Sequence, residues 1–255
     1  MGLTSYNYYD HVPSDIRIDH AYLDSRKTKS QQYLDNLSEW TANQEMELNL
    51  DKSKYMIFNF TKDYAFSTRL HLNGVQINQV KETKLLGVIL RDDLSWKSNT
   101  EHIIKKAYKR MIILKRLYQF GIPRQDLTEI YILYIRSVLE QSSVIWHGAL
   151  TVGETKDIER VQKVALRLIL KEDYTSYKAS LQITGLLTLE DRRKFLCLNF
   201  AKKCLKSDAT KDMFPLKKII RDTRKPQIYK VPFARTSRFA NSAIPYMARL
   251  LNNQT

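Results

Sequence analysis

The apolar positions of this chain change period once, near Trp96. Before that point the spacing is mixed. Tyr33, Leu34, Leu37 and Trp40 recur at three and four, which predicts a helix over residues 31–43. Met56, Phe58 and Phe60 then alternate with Ile57 and Asn59, a β-branched and aromatic run that predicts a strand. LHL and VQI flank Asn73-Gly74, the pair that best suits a type I′ hairpin turn because both central residues need positive φ. Residues 84–90 read as a nearly continuous apolar strand, with Gly87 marking a bulge or a close backbone approach.

After Trp96 the period is helical. Ile103, Ala107, Met111, Leu114 and Tyr118 form one stripe, and Gly121 and Pro123 end it. A second helix near 125–140 carries Leu127, Ile130, Tyr131, Tyr134 and Val138 on its core face. A third, near 154–171, uses Ile158, Val161, Ala165 and Leu168; a fourth, near 188–205, uses Leu189, Leu196, Phe200 and Cys204. Residues 1–30 are polar, contain Pro13 and show no period, so a poorly ordered lead-in or truncated edge is expected. Beyond Pro215 the chain is basic, with Pro226 and Pro232 and weak periodicity until 244–251, which predicts a loosely packed tail. The expected class is therefore α+β: a small antiparallel unit with a helix over 31–97, a helical bundle over 98–206 and a basic tail over 207–255.

Charge sharpens this picture. Lys and Arg number 42 against 27 Asp and Glu, a formal charge of +15, which points to a phosphate-bearing partner or an anionic surface. Lys105, Lys109 and Arg116 project opposite the first helix's apolar stripe, and Arg160, Lys163, Arg167 and Lys171 line the third helix with no acid on that side. A solvated helix face explains such a pattern too. The functional reading is contact with a duplex or RNA–DNA hybrid backbone, which positions nucleic acid without reading its sequence. Trp96, Tyr108 and Tyr118 add aromatic surface nearby.

Other chemistry is thinly represented. Cys197 and Cys204 suit two thiols on an apolar helix face better than a disulfide or zinc site. Asp92 and Asp93 suit a turn before a helix, His147 a helix end and His71 a strand. Neither a phosphate-binding loop nor a dinucleotide fingerprint occurs, so the nucleotide hydrolase and nicotinamide classes have no support. No long apolar run or signal-peptide pattern occurs, so no membrane partner is expected and the location is expected to be intracellular, nuclear or cytoplasmic. Oligomeric state is left open.

The segments LDNLSEWTANQEMELNLDKSKYMIFNF, LHLNGVQI, KLLGVILRDDLSW, IYILYIRSVLEQSSVIWH, IERVQKVALRLIL and IPYMARLLN follow one another in the order seen in non-LTR (LINE-type) retrotransposon reverse transcriptases. From about Leu34 onward the chain resembles the C-terminal part of that family. By resemblance, NLDKSK is the motif whose lysine, Lys52 or Lys54, closes over the incoming nucleotide. KLLGVIL is similar to the strand that grips the primer end, which assigns that role to Lys84, Leu85, Leu86, Gly87 and Val88. The helices after Trp96 would be the thumb.

The family's Tyr-x-Asp-Asp, whose carboxylates hold a metal pair, has only Tyr8, Tyr9, Asp10 and His11 as its counterpart. Asp10 is thus a degenerate catalytic candidate, and the upstream palm and fingers are missing. Asp10, His11 and Asp15 are a conceivable metal cluster, but the expectation is no metal or cofactor in this chain, with magnesium belonging to the complete enzyme. The reading is a palm and thumb fragment that grips primer–template and is inactive alone. The alternative is a stand-alone nucleic-acid-binding module, or a structural relic of a decayed element.

Overall fold

The computed structural model describes residues 20–60, 69–217 and 228–254. Its class is α+β, with small two-stranded pairs and many helices. It divides into two compact units, Met1–Glu82 and Thr83–Thr255.

In the first unit, helix α1 (His20–Asn43) begins well before the predicted residue 31. Residues 20–30 lack an apolar face, so periodicity misses them, yet they contain no Gly or Pro to stop a helix. Its inner side is also not the predicted one. Thr41 is buried while Tyr33, Leu37 and Trp40 are exposed. The hydroxyls of Ser38 and Thr41 donate to the carbonyls of Leu34 (2.9 Å) and Leu37 (3.0 Å), which hides their polarity on the inner face.

Four short strands complete this unit: β1 (Lys54–Tyr55), β2 (His71–Leu72), β3 (Val75–Gln76) and β4 (Asn78–Gln79). β2 and β3 form the predicted antiparallel hairpin, with Asn73 at φ 53° and Gly74 at φ 76°. Gln31 ties α1 to it, donating to the His71 carbonyl (2.8 Å) and accepting from the His71 N–H (2.9 Å). β1 pairs in parallel with β4. Residues 56–60, expected as a strand, are not assigned to one, and β1 pairs with β4 over two residues only.

The second unit opens with β5 (Glu82–Leu85) and β6 (Val88–Arg91). Sequence predicts one strand across 84–90; the chain instead folds back at Leu86-Gly87, where φ is 48° and 88°. Both values belong to a type I′ hairpin turn, so the bulge reading is corrected. The close-approach reading holds, since a Cβ on Gly87 would lie 2.5 Å from the Gln141 Nε2. Leucine rarely adopts positive φ, which is why the apolar run conceals the turn.

Helix α2 (Lys97–Gln119) buries Ile103, Ala107, Met111 and Leu114 as predicted, with Tyr118 left exposed. Gly121 at φ 74° and the Ile122 N–H donating to the Leu117 carbonyl (3.3 Å) end it in a Schellman turn. The Asn99 carboxamide oxygen accepts from the Ile89 N–H (3.1 Å), hooking β6 to α2. Val88 and Trp96 join the helical core. The hairpin therefore belongs with the helices, and the units part at residue 82 rather than 97.

The second predicted helix is α3 (Arg124–Ile130), a π-helical stretch Tyr131–Arg136, and α4 (Ser137–Glu140). The wider π turn shifts the inward face, so Ile135 is buried where Tyr134 was expected. After α5 (Ser143–Trp146) comes α6 (Val152–Leu170), started by a reciprocal capping box between Thr151 and Glu154. α6 buries Ile158, Val161 and Ala165, and also Gln162, Leu166, Ile169 and Leu170.

α7 (Tyr177–Thr184) and α8 (Leu189–Leu205) follow. The buried ridge of α8 is Leu189, Arg193, Cys197, Ala201 and Cys204, whereas Phe200 is exposed. The arginine in that ridge masks its period. α9 (Ser237–Ala240) and α10 (Ala243–Asn252) overturn the loosely packed tail. Met247, Ala248, Leu250 and Leu251 of α10 form a second core with Cys197, Ala201, Cys204 and Phe214.

Candidate nucleic-acid interface

The type I′ turn fixes which hairpin groups face outward. Lys84, Leu85 and Leu86 are exposed, Leu86 at 91%, while Val88 is buried in the helical core. Of the five residues assigned to primer contact by resemblance, Val88 is an anchor and Gly87 a turn; three side chains are presented.

Half-buried His102 on α2 lies where the hairpin and helix charges converge. Its own burial, then Lys84, Lys106, Lys105 and Lys109, hold its protonation below the usual histidine range. Lys84 from β5 and Lys105 and Lys109 from α2 thus share one positive field. Sequence reading missed His102 and Lys106, because both sit off the outermost ridge of the helix.

The α6 stripe is built on rings. The Lys163 ammonium lies 5.0 Å over Tyr177, the Arg167 guanidinium 5.2 Å over Tyr174, and the Lys171 ammonium 4.9 Å over Tyr118. Each contact is worth roughly 0.5–1 kcal/mol at an exposed site and restrains a long side chain while its charge stays open to solvent. Tyr118 lies on the apolar stripe of α2, so Lys171, just past α6, meets α2 on the side away from Lys105, Lys109 and Arg116. Arg116 is exposed two residues earlier on α2. Arg160 departs from the stripe: Asp157 lies 3.2 Å from its guanidinium, correcting the expectation of no acid on that side. The acid is one turn back, which a stripe read at spacings of three and four passes over.

A polar network fixes Tyr177 beneath Lys163. The Tyr131 hydroxyl donates to Gln162 Oε1 (2.7 Å), and Gln162 Nε2 donates to the Tyr177 hydroxyl (2.9 Å) and the Leu187 carbonyl (2.9 Å). Tyr177 in turn donates to Glu159. Glu159 also accepts from the N–H groups of Leu189 (3.0 Å) and Glu190 (3.3 Å), so its carboxylate caps the start of α8. Burial, then Glu159, raise the Tyr177 pKa far above the ordinary phenol range, keeping it a neutral donor.

Lys52 and Lys54 lie in the first unit and are exposed. Their turn is closed by Asn49, whose side chain accepts from the Lys52 N–H (2.9 Å) and whose carbonyl accepts from the Ser53 hydroxyl (2.8 Å). Asp10, His11 and Asp15 lie outside the described residues. Among the described residues no cluster of three or more His, Cys, Asp or Glu could hold a metal.

Asp93 has the turn role expected of it. Arg91 clasps its carboxylate at 3.1 Å and the Ser95 N–H donates to it at 2.9 Å, which pulls its pKa down to about 2. The free thiols Cys197 and Cys204 are buried, and burial pushes Cys197 up to about 12. Among the described residues no helix is long and apolar enough to cross a membrane.

His147 is buried, its Nδ1 accepting from Arg193 Nε (3.3 Å) and its ring meeting Tyr246 edge-on at 5.5 Å. Burial, then Arg193 and Lys194, lower its pKa from 6.5 to about 4. The unfolded chain therefore binds this proton first. Stability is full above pH 6.5 and falls as pH drops toward 4, by about 3 kcal/mol from this group. Urea unfolding at pH 7 and pH 4 measures it: His147→Gln should lose about 3 kcal/mol less than the parent over that interval.

Compared with protein-family models, curated proteins and solved structures, the chain matches none.

Proposed function

We propose that this chain is the C-terminal palm and thumb part of a LINE-type retrotransposon reverse transcriptase and that it grips primer–template rather than transferring phosphoryl groups. The observation that carries the reading is a pair of basic faces: Lys84, Lys105, Lys106 and Lys109 around His102 on one, and Lys163, Arg167 and Lys171 over Tyr177, Tyr174 and Tyr118 on the other. Each face offers several cations to the phosphates of a bound strand. The hairpin tip adds Leu85 and Leu86, apolar groups able to rest on a sugar or base edge.

On the same resemblance Lys52 or Lys54 would stand near the incoming nucleotide. Magnesium belongs to the complete enzyme; no carboxylate set among the described residues fits it, and the grip requires none.

Fluorescence anisotropy with an RNA–DNA hybrid of about two helical turns tests the grip. If about six phosphates are neutralised, log K falls against log salt with a slope near −5, a loss of about 10³ between 50 and 200 mM salt. No binding at 50 mM salt would sink the proposal.

A further inference from the structure

A second concave surface lies in the helical unit, and none of its lining residues belongs to α2 or α6. It is a groove of about 540 Å³ between the outer side of α8 and the segment that enters α5. Its floor is Leu196 and Val144, its wall is Phe200, and its rim carries Lys202, Lys203 and Lys206. Phe200 is 41% exposed, although helical spacing predicts it in the core. All three lysines are exposed.

The groove holds one acid, Glu140, already engaged: Arg136 and Arg192 each approach its carboxylate at 3.1 Å. What a ligand meets is therefore positive charge around an open aromatic face. Lys202 and Lys206 are separated by about 6 Å along the helix, a span suited to one or two phosphates. The groove is open to solvent and small beside a duplex, whose outer surface is a broad convex cylinder. One or two unpaired nucleotides fit that size. A base can stack on Phe200 while its flanking phosphates meet the lysines, the pairing of ring and cation by which single strands are held without sequence preference.

We propose that this groove is a binding site for single-stranded nucleic acid, separate from the basic faces of α2 and α6. In a chain that holds a hybrid, such a site would take the unpaired strand beyond the paired region. The groove's own claim does not depend on hybrid binding, because it rests on different residues.

The test uses the full chain and two labelled probes, a ten-nucleotide oligo-dT and an RNA–DNA hybrid, at 50 mM salt. The variants are Lys202→Gln with Lys203→Gln and Lys206→Gln, and separately Phe200→Leu, which keeps an apolar side chain but removes the ring. The triple variant should weaken oligo-dT binding at least about tenfold, and Phe200→Leu about fivefold or more, with hybrid affinity changed less than about threefold. Unchanged melting temperatures would show that both variants fold.

Oligo-dT binding that both variants leave intact would overturn the proposal, as would its absence from the parent. Competition by dTMP as effective as that by unlabelled oligo-dT would assign the groove to free nucleotide instead. Equal competition by poly-glutamate would assign it to acidic protein. Loss of hybrid binding alone would overturn the grip by α2 and α6 and leave the groove standing.

Discussion

Reversing Lys105, Lys109, Arg167 and Lys171 together to glutamate should lower affinity for an RNA–DNA hybrid by about 10³-fold and reduce the magnitude of the salt slope by about 3.6. Each lost phosphate contact removes one released counterion, and the four positions sample both basic faces. The variant's formal charge is +7, because four reversals remove eight from +15. A control reversing Lys178, Lys194, Lys211 and Lys230, all exposed, has the same net charge and should keep most of the affinity. Equal weakening of the two variants would mean that total charge governs binding and the α2 and α6 faces do not. Arg160→Glu alone should have little effect, since Asp157 already shares that charge.

Glu159→Ala should destabilise the helical unit by about 3 kcal/mol, because it strands the Tyr177 hydroxyl and the first N–H groups of α8 at once. For a unit of this size that corresponds to a fall in Tm of about 6–12 °C in a thermal melt followed by circular dichroism. Glu159→Gln, which keeps an acceptor, should lose less than half as much. Hybrid affinity at a temperature where both variants are folded should fall only slightly, since Lys163 keeps its charge and Gln162 still holds Tyr177 beneath it. An unshifted Tm in Glu159→Ala would show that water replaces the carboxylate as cap.

Sequence periodicity revealed the parts of this fold whose apolar ridges are uninterrupted. The α2 ridge from Ile103 to Leu114 and the first half of the α6 ridge are placed as spacing predicts, and Asn73-Gly74 marks its turn. What stayed hidden did so for identifiable physical reasons. Arg193 breaks the α8 ridge, the π turn at Tyr131–Arg136 displaces Tyr134 in favour of Ile135, and Leu86 takes a backbone conformation that its side chain does not announce. On α1 Thr41 is buried, while Tyr33, Leu37 and Trp40 stay exposed.

The candidate interface was legible as charge and illegible as structure. The basic positions follow from helical geometry. The tyrosines beneath them come from other elements, α7, the preceding turn and the end of α2, and only folding brings Tyr177, Tyr174 and Tyr118 under Lys163, Arg167 and Lys171. The same is true of Lys84, which lies far from Lys109 in sequence and shares its field only because β5 and β6 fold back on one another.

Arg193 has one further consequence. It stands on α8 between Leu189, which belongs to the first core, and Cys197, which belongs to the second, and both of its terminal nitrogens are buried without an acceptor. Among the described residues its hydrogen bond runs to His147, whose ring rests against Tyr246 of α10. When α10 lifts away, water reaches this charge and recovers its hydration. The C-terminal layer should therefore detach at lower cost than the bundle beneath it, with amide hydrogens of α10 exchanging before those of α2 and α6.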